Sequence, residues 1–352
     1  KHSYYRELRQ DSPVYWSSKY SMYVITRYED VKALLKNNKV FLSGSGNLIM
    51  ESPHRFGHTL GASDLPFHDV LKDLVKSAYG KQNLDRILAN TTFTIGTDLN
   101  TAIEYDSARF TAELLNLPES KKLITDIIVD IQKRSSKSVV TNTNDASYNY
   151  YLSLVKKSKE PLGEGIYKEY YNSNKQYLSL MSGPTLSGTT STTGALQFLI
   201  VDLANNPDQY KLLLKDDSLI PATIEESIRY NSSTGRFSRT ASEDFNLHGV
   251  LIKKGSRVAL CIDSANRDES VFEDSDRFDI SREYENAHLG FGYGMHSCIA
   301  MYLTRMFMNS YLQNFVKQVS HIDLVNTNPD RRIMCSGNFD VLNSLNIKDH
   351  LP

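Results

Sequence analysis

Cysteine is scarce in this chain of 352 residues: Cys261, Cys298 and Cys335 are too few and too scattered to build a disulfide framework. That composition suits a reducing cytoplasm and leaves a thiol available for other chemistry. No run approaches the ~20 consecutive apolar residues needed to cross a bilayer. The polar opening Lys1-His-Ser-Tyr-Tyr-Arg has no apolar core of a secretory leader, so a soluble protein without a membrane span is expected. A chain opening on Lys1 is expected to lack its initiator methionine or a short leader. Neither sign of charge is in excess: Lys plus Arg number 40 and Asp plus Glu 41, a net charge of -1, which argues against nucleic acid as a partner. Fixed-period repeats, low-complexity tails and the Gly-Lys-Ser/Thr of a phosphate loop are all missing.

What is present centres on Phe291-Gly-Tyr-Gly294-Met-His296-Ser-Cys298-Ile-Ala300. Gly292 and Gly294 allow backbone conformations closed to other residues and a close approach to a large flat ligand. A helix beginning near Cys298 would turn the amides of Ile299 and Ala300 toward the sulfur and stabilise a thiolate. A thiolate so held is a strong axial ligand for haem iron. Two other readings fit the same residues. One is a buried structural cysteine after a glycine-rich turn; the other is a zinc site using His288, His296 and Cys298, although no fourth ligand stands at suitable spacing.

Hydrophobic residues make up 40% of the chain, ample for a sizeable core. After a polar first helix, Val14-Tyr-Trp and Met22 to Thr26 alternate as two short strands, and Asp30 to Asn37 is helical. Gly44 to Gly61 reads as a long loop. Helical spacing marks Pro66 to Tyr79, Leu84 to Leu99, Thr111 to Leu117, Lys121 to Ser136 and Ala146 to Lys159, with a polar turn at Ser138 to Asp145. Strand-like runs return at Phe245 to Leu251, Arg257 to Ile262, Arg332 to Met334 and Val341-Leu342. The fold class expected is mainly α with a minor β part.

The spacing Phe-Gly-x-Gly-x-His-x-Cys-x-Ala resembles the haem-binding loop of the cytochrome P450 family, with Ala300 where that family mostly carries glycine. Three further segments repeat the resemblance in order: Glu226-Ser-Ile-Arg229, Ser264-Ala-Asn-Arg267-Asp268, and Arg277-Phe278. The resemblance implies one domain over 1–352, β-rich at about 13–26, with the haem between the cysteine loop and a long central helix. Glu226, Arg229 and Arg277 would form a structural ion-pair network. Cys298 would bind the iron of haem b, seated by Phe291, Gly292 and Ala300. His68, Lys72, Arg239 and His296 would hold the propionates, Lys72 replacing the fork of an arginine with a point charge.

The central-helix motif departs from the family. Ser187-Gly-Thr-Thr190-Ser191-Thr192 has no carboxyl; Thr190 stands in the acid's place and Ser191 in that of the alcohol. A hydroxyl relays protons but does not titrate near neutral pH. Pro184 and three glycines make Gly183 to Gly194 a poor helix, so a kink or unwound turn is expected. The resemblance implies a monooxygenase acting on dioxygen and a small, apolar substrate. Pocket walls are expected from Gly44 to Gly61, Leu123 to Tyr170, Met181 to Ser187, Ser232 to Phe237 and Met334 to Phe339. Electrons would come from a ferredoxin-like or flavodoxin-like donor docking near Lys76 and Arg267. Alternatives are a peroxide-driven peroxygenase, motivated by the missing acid, and a non-enzymatic haem-thiolate sensor or carrier.

Overall fold

The computed structural model describes residues 1–50, 59–80, 84–89, 98–114, 125, 174–284, 287–326, 329–333 and 337–347, with the side chains of 74, 77–80, 174–184, 186 and 332 outside the description. The helices read at Lys121 to Ser136 and Ala146 to Lys159, the polar turn between them, the pocket wall over Leu123 to Tyr170 and Cys335 lie outside the described residues.

Helix α1 (His2–Asp11) leads into the hairpin β1 (Val14–Ser17) and β2 (Met22–Ile25), then α2 (Tyr28–Lys36) and the two-residue β3 (Phe41–Leu42). β4 (Phe237–Ala241) and β7 (Arg257–Leu260) complete a five-stranded sheet in the order β1-β2-β7-β4-β3, with β2 and β7 parallel. Its core is apolar and partly aromatic: Ile25, Tyr28, Val31, Leu34, Leu35, Phe41, Val258 and Leu260 pack together, which is why α2 carries its apolar residues three and four apart. The run Phe245 to Leu251, read as one strand, is a hairpin instead. β5 (Phe245–Leu247) and β6 (Val250–Ile252) turn about His248 and Gly249, whose φ values of 52° and 80° are those of a tight two-residue turn. β3 and β4 escaped the sequence reading because two residues show no alternation and β4 is buried on both faces over much of its length. β8 (Arg331–Ile333) and β9 (Asp340–Leu342), at two of the strand-like runs, pair antiparallel.

The helical part holds α3 (Phe67–Gly80), α4 (Leu84–Ala89), α5 (Leu99–Leu114), α6 (Asn174–Asn205), α7 (Pro207–Lys215), α8 (Ile220–Tyr230), α9 (Ile262–Ala265) and α10 (Met301–Gln318). Its core joins Phe110 of α5, Leu196, Phe198, Leu199, Ile200 and Leu203 of α6, Ile224 of α8, and Phe307, Tyr311 and Phe315 of α10. α5 is continuous where the sequence suggested a break between Leu99 and Thr111. Asn100, Glu104, Asp106, Ser107, Thr111 and Glu113 are all buried in it, so no polar face betrays the period.

α6 corrects the expectation of an unwound turn: it runs unbroken through Pro184, Gly188 and Gly194. An interior proline costs about 3 kcal/mol and a glycine about 1. Five large buried side chains between Leu196 and Leu203 offset this at roughly 1.5–3 kcal/mol each. Gly194 is a packing requirement, since a Cβ there would stand 2.5 Å from the Asp340 carbonyl oxygen and 2.8 Å from Ser233 Cβ.

Candidate functional site

The loop before α10 is folded on its own backbone. Gly292 N donates to Leu289 O at 2.8 Å, Ser297 N to Gly294 O at 3.1 Å and Cys298 N to Phe291 O at 2.8 Å. Gly292 and Gly294 have φ of 71° and 74°, and a Cβ on Gly294 would stand 3.0 Å from the Leu35 carbonyl. α10 begins at Met301, three residues later than a helix starting at Cys298 would require. The Ala300 amide nevertheless donates to the Cys298 sulfur. Burial raises the thiol pKa, while that amide and the Arg305 charge oppose the rise. The sulfur opens onto a cavity that Phe291, His296 and Ala300 also line.

Behind the loop, Arg305 lies 4.6 Å from the Phe291 ring centre and forks onto Glu225 with two bonds of 2.6 Å. His288 Nε2 meets Glu225 at 3.1 Å. Burial would raise the Glu225 carboxyl, but the bonds from His288 and Arg305 outweigh it and hold the pKa at about 2. His288 therefore serves Glu225, and among the described residues no three candidate ligands gather around a metal, which removes the zinc reading.

One side of the cavity is cationic. His68 from α3 packs edge-on to His296, ring centres 4.4 Å apart. Lys72, one turn later, donates to Met295 O at 2.8 Å. Arg239 from β4 is buried and donates to Ser238 O at 2.7 Å. Burial lowers its pKa to about 10 despite the attraction of Asp64. Burial, reinforced by Arg239, His68 and Lys72, lowers His296 to about 2, and burial also lowers His68. His296 Nε2 is buried without a partner among the described residues. A desolvated guanidinium, an ammonium and an orphaned imidazole nitrogen on one wall are the donor set that two propionates require. The residues present fit a haem.

Across the cavity, α6 contributes Ser187, Gly188, Ser191 and Ala195. Ser191 Oγ donates to Gly188 O at 3.3 Å. Thr190 is 3% exposed and does not line the cavity, because it is one residue, about 100° of helix, away from Ser191. The long loop supplies Asn47, Leu48, Thr59, Leu60 and Gly61, and the segments around β4 and β9 supply Ser232, Ser233, Thr234, Phe237 and Phe339. Sequence reasoning named those stretches, but it missed Ile228, Thr304 and Met308 and had no signal for the bond from Ser233 Oγ to Ser191 O at 2.8 Å.

The ion-pair network forms with a different third member. Arg229 forks onto Glu226 at 2.8 and 2.9 Å, both fully buried. Arg282 reaches Glu226 at 3.3 Å and the Tyr284 hydroxyl donates to it at 2.7 Å. The Arg277 side chain is 63% exposed and only its carbonyl joins, accepting from Arg229 at 3.1 Å. Arg267 is also displaced from its expected role. It is 4% exposed, donates to Tyr230 O at 2.8 Å and stacks 3.5 Å from the Tyr230 ring centre, so it belongs to no docking surface. Lys76 is exposed.

A cysteine on a glycine-rich loop, facing a helix across a cavity with cationic donors on its flank, is the arrangement of a haem-thiolate enzyme. The family model described as Cytochrome P450 matches residues 119–335. Cytochrome P450-terp of Pseudomonas sp is 34% identical over 173 residues, 49% of this chain and 39% of that protein. The biotin biosynthesis cytochrome P450 of Bacillus subtilis (strain 168) is 26% identical, with 92% of this chain and 90% of that protein covered. Among solved structures, cytochrome P450 CYP109Q5 from Chondromyces apiculatus superposes with a TM-score of 0.82 at 22% identity, covering 100% of this chain and 95% of its own. The chain belongs to the cytochrome P450 family. Its fold is mainly α with a minor β part, and it is an oxidoreductase of the haem-thiolate monooxygenase type. Among the described residues no helix is long and apolar enough to cross a membrane.

Proposed function

We propose that Cys298 is the iron ligand of a b-type haem, with His68, Lys72, Arg239 and His296 on its propionates, and that Ser191 faces dioxygen and substrate from the opposite side. The observation that carries this is the Cys298 sulfur, held by the Ala300 amide and turned to a cavity whose flank bears an unpartnered His296 nitrogen. The bound haem supplies the activation of dioxygen by two electrons and two protons, ending in one oxygen atom inserted into a C–H bond. The protein seats the haem, positions the substrate and delivers protons through α6.

Leu48, Leu60, Ala195, Phe237 and Phe339 give the substrate apolar walls. The hydroxyl protons of Ser191, Ser232 and Ser233 are already committed to the carbonyls of Gly188, Thr234 and Ser191. The wall is thus weakly polar and suits a small, largely apolar organic molecule. Electrons come from a separate ferredoxin-like or flavodoxin-like donor on the Cys298 side, near the exposed Lys76. The reducing cytoplasm is the compartment that keeps Cys298 as a thiol.

The test is the carbon monoxide difference spectrum of the reduced protein and of Cys298→Ser. A strongly red-shifted Soret band that vanishes in the variant supports the assignment. Haem without the shift points to a sensor-like role, and a protein that takes up no haem overturns the reading. A second reading, peroxide-driven oxygenation, is favoured by the absence of any carboxyl from Ser187 to Thr192. Efficient turnover with peroxide and poor coupling with dioxygen would select it.

A further inference from the structure

The α6 segment beside the cavity has hydroxyls and no acid, yet α5, which packs along α6, carries a buried carboxyl at Glu104. Two contacts fix how these helices lie. Gln197 Nε2 of α6 donates to Asn100 Oδ1 of α5 at 2.6 Å. Nine residues earlier in α6, a Cβ on Gly188 would stand 3.1 Å from Thr111 Cγ2. The helices are therefore antiparallel. Asn100, Glu104, Ser107 and Thr111 recur at intervals of four, three and four and share one stripe of α5. All four are polar, and all are 9% exposed or less. Between the two contacts α6 answers with buried Thr189, Thr192 and Thr193.

A polar seam inside a helical core is costly unless its groups are satisfied. Two are not: Ser107 Oγ and Thr189 Oγ1, 0% and 1% exposed, have no hydrogen-bond partner among the described residues. Buried hydroxyls in that condition are the usual seats of internal water. The seam meets the cavity at Gly188, which lines the cavity and touches Thr111 while interposing no side chain of its own. Ser191 Oγ bonds to the Gly188 carbonyl at that same point.

We propose that Glu104 replaces the missing α6 acid, and that water held by Ser107 and Thr189 in the α5–α6 seam carries its proton past Gly188 to Ser191. The Glu104 carboxyl gives a proton to the water chain. Ser191 releases its bond to the Gly188 carbonyl, passes its hydroxyl proton into the cavity and accepts one from that chain. The emptied carboxylate is refilled from solvent at the start of α5, where Asp98 and Thr101 are exposed. The electrons are those of the monooxygenase reaction proposed above, and no other co-reactant is needed. The inference rests on the reading of Ser191 as the alcohol that faces dioxygen.

Two measurements test it. A crystal structure of the haem-loaded protein, at a resolution that orders water, should show water bonded to both Ser107 Oγ and Thr189 Oγ1; a dry seam overturns the proposal. Glu104→Gln should lower product per electron pair about tenfold, with the electrons recovered as peroxide, and should change the solvent deuterium isotope effect. Its carbon monoxide spectrum and substrate affinity should stay as in the parent, which a merely structural role would not combine with a changed isotope effect. Thr189→Val and Ser107→Ala, which remove only hydroxyls, should move the same readouts and carry the test if Glu104→Gln fails to fold. Peroxide leakage in Ser191→Ala but in none of the seam variants overturns the seam and leaves Ser191 in place. Leakage in none of them overturns both.

Discussion

The Ser233 hydroxyl donates to the backbone carbonyl of Ser191 at 2.8 Å, tying the segment before β4 to the turn of α6 that faces the cavity. A side chain from one wall thereby fixes the backbone of the opposite wall. Ser233→Ala should cost about 1 kcal/mol of stability, the ordinary worth of one such bond, measured by urea unfolding. It should also raise peroxide release, because Ser191 is no longer held. Ser191→Ala keeps the carbonyl and with it the tie to Ser233, so it should raise peroxide release with little change in stability.

Arg239 is buried and, among the described residues, has no carboxylate bonded to it, so in the haem-free chain its charge is a burden that burial expresses as a pKa lowered to about 10. Arg239→Met should make the haem-free protein more stable to urea and the loaded protein quicker to lose haem. Haem transfer to an acceptor globin and apoprotein unfolding measure the two halves. A variant that weakens both states equally would contradict the assignment.

Arg282 and Arg277 compete for one role, and the geometry chooses Arg282. Arg282→Ala removes a cation at 3.3 Å from the fully buried Glu226 and should cost about 3 kcal/mol. Arg277→Ala removes an exposed side chain and should stay within about 0.5 kcal/mol. Chemical denaturation of both variants decides.

Gly194→Ala places a Cβ 2.5 Å from the Asp340 carbonyl oxygen, a backbone atom that cannot swing aside. The expected loss is about 1–3 kcal/mol. Although alanine is the better helix former, thermal and urea unfolding should both show the loss.

Two carboxyls, the half-buried Glu225 and the buried Asp202, give stability opposite slopes with pH. Glu225 has a pKa held at about 2, below its usual value near 4.5, so its contribution is full above pH 4.5 and is lost as pH falls through 2. Burial raises Asp202 to about 7 from near 3.8, against the bonds from Ser227 and Asn231. A raised carboxyl favours the folded state below pH 4, and that advantage fades as pH rises to 7. Asp202→Asn should flatten the fall in stability between pH 4 and 7, and Glu225→Gln should flatten the fall on acidification below 4.5. Urea midpoints across pH check both.

The parts of the fold legible in the sequence were those with a one-sided pattern. α2 shows Val31, Leu34 and Leu35 against polar neighbours, and the cysteine loop fixes its own turns with two glycines at positive φ. α5, and α6 over its described side chains, failed the same test because they are buried nearly all round. Asn100, Ser107 and Thr189 read as loop residues until tertiary packing is known. The third arm of the Glu226 network was misplaced because Arg277 and Arg282 are five residues apart on irregular chain, where no period says which guanidinium turns inward. Thr190, in the acid's place, and Ser191, in the alcohol's, were both set at the distal site, although helix geometry points neighbours about 100° apart.

The parallel pairing of β2 with β7 has a consequence for biogenesis. Ile25 finds its partner Leu260 only after most of the chain has been made, and at ordinary synthesis rates of about 5–20 residues per second that is a wait of roughly ten to fifty seconds. Until then β1 and β2 are a lone hairpin with an open edge, marginal by itself and a template for wrong partners. Cys298 leaves the ribosome later still. Through that interval the growing polypeptide lacks its sheet and its proposed iron ligand, and the first hairpin is the segment for holdase chaperones to guard.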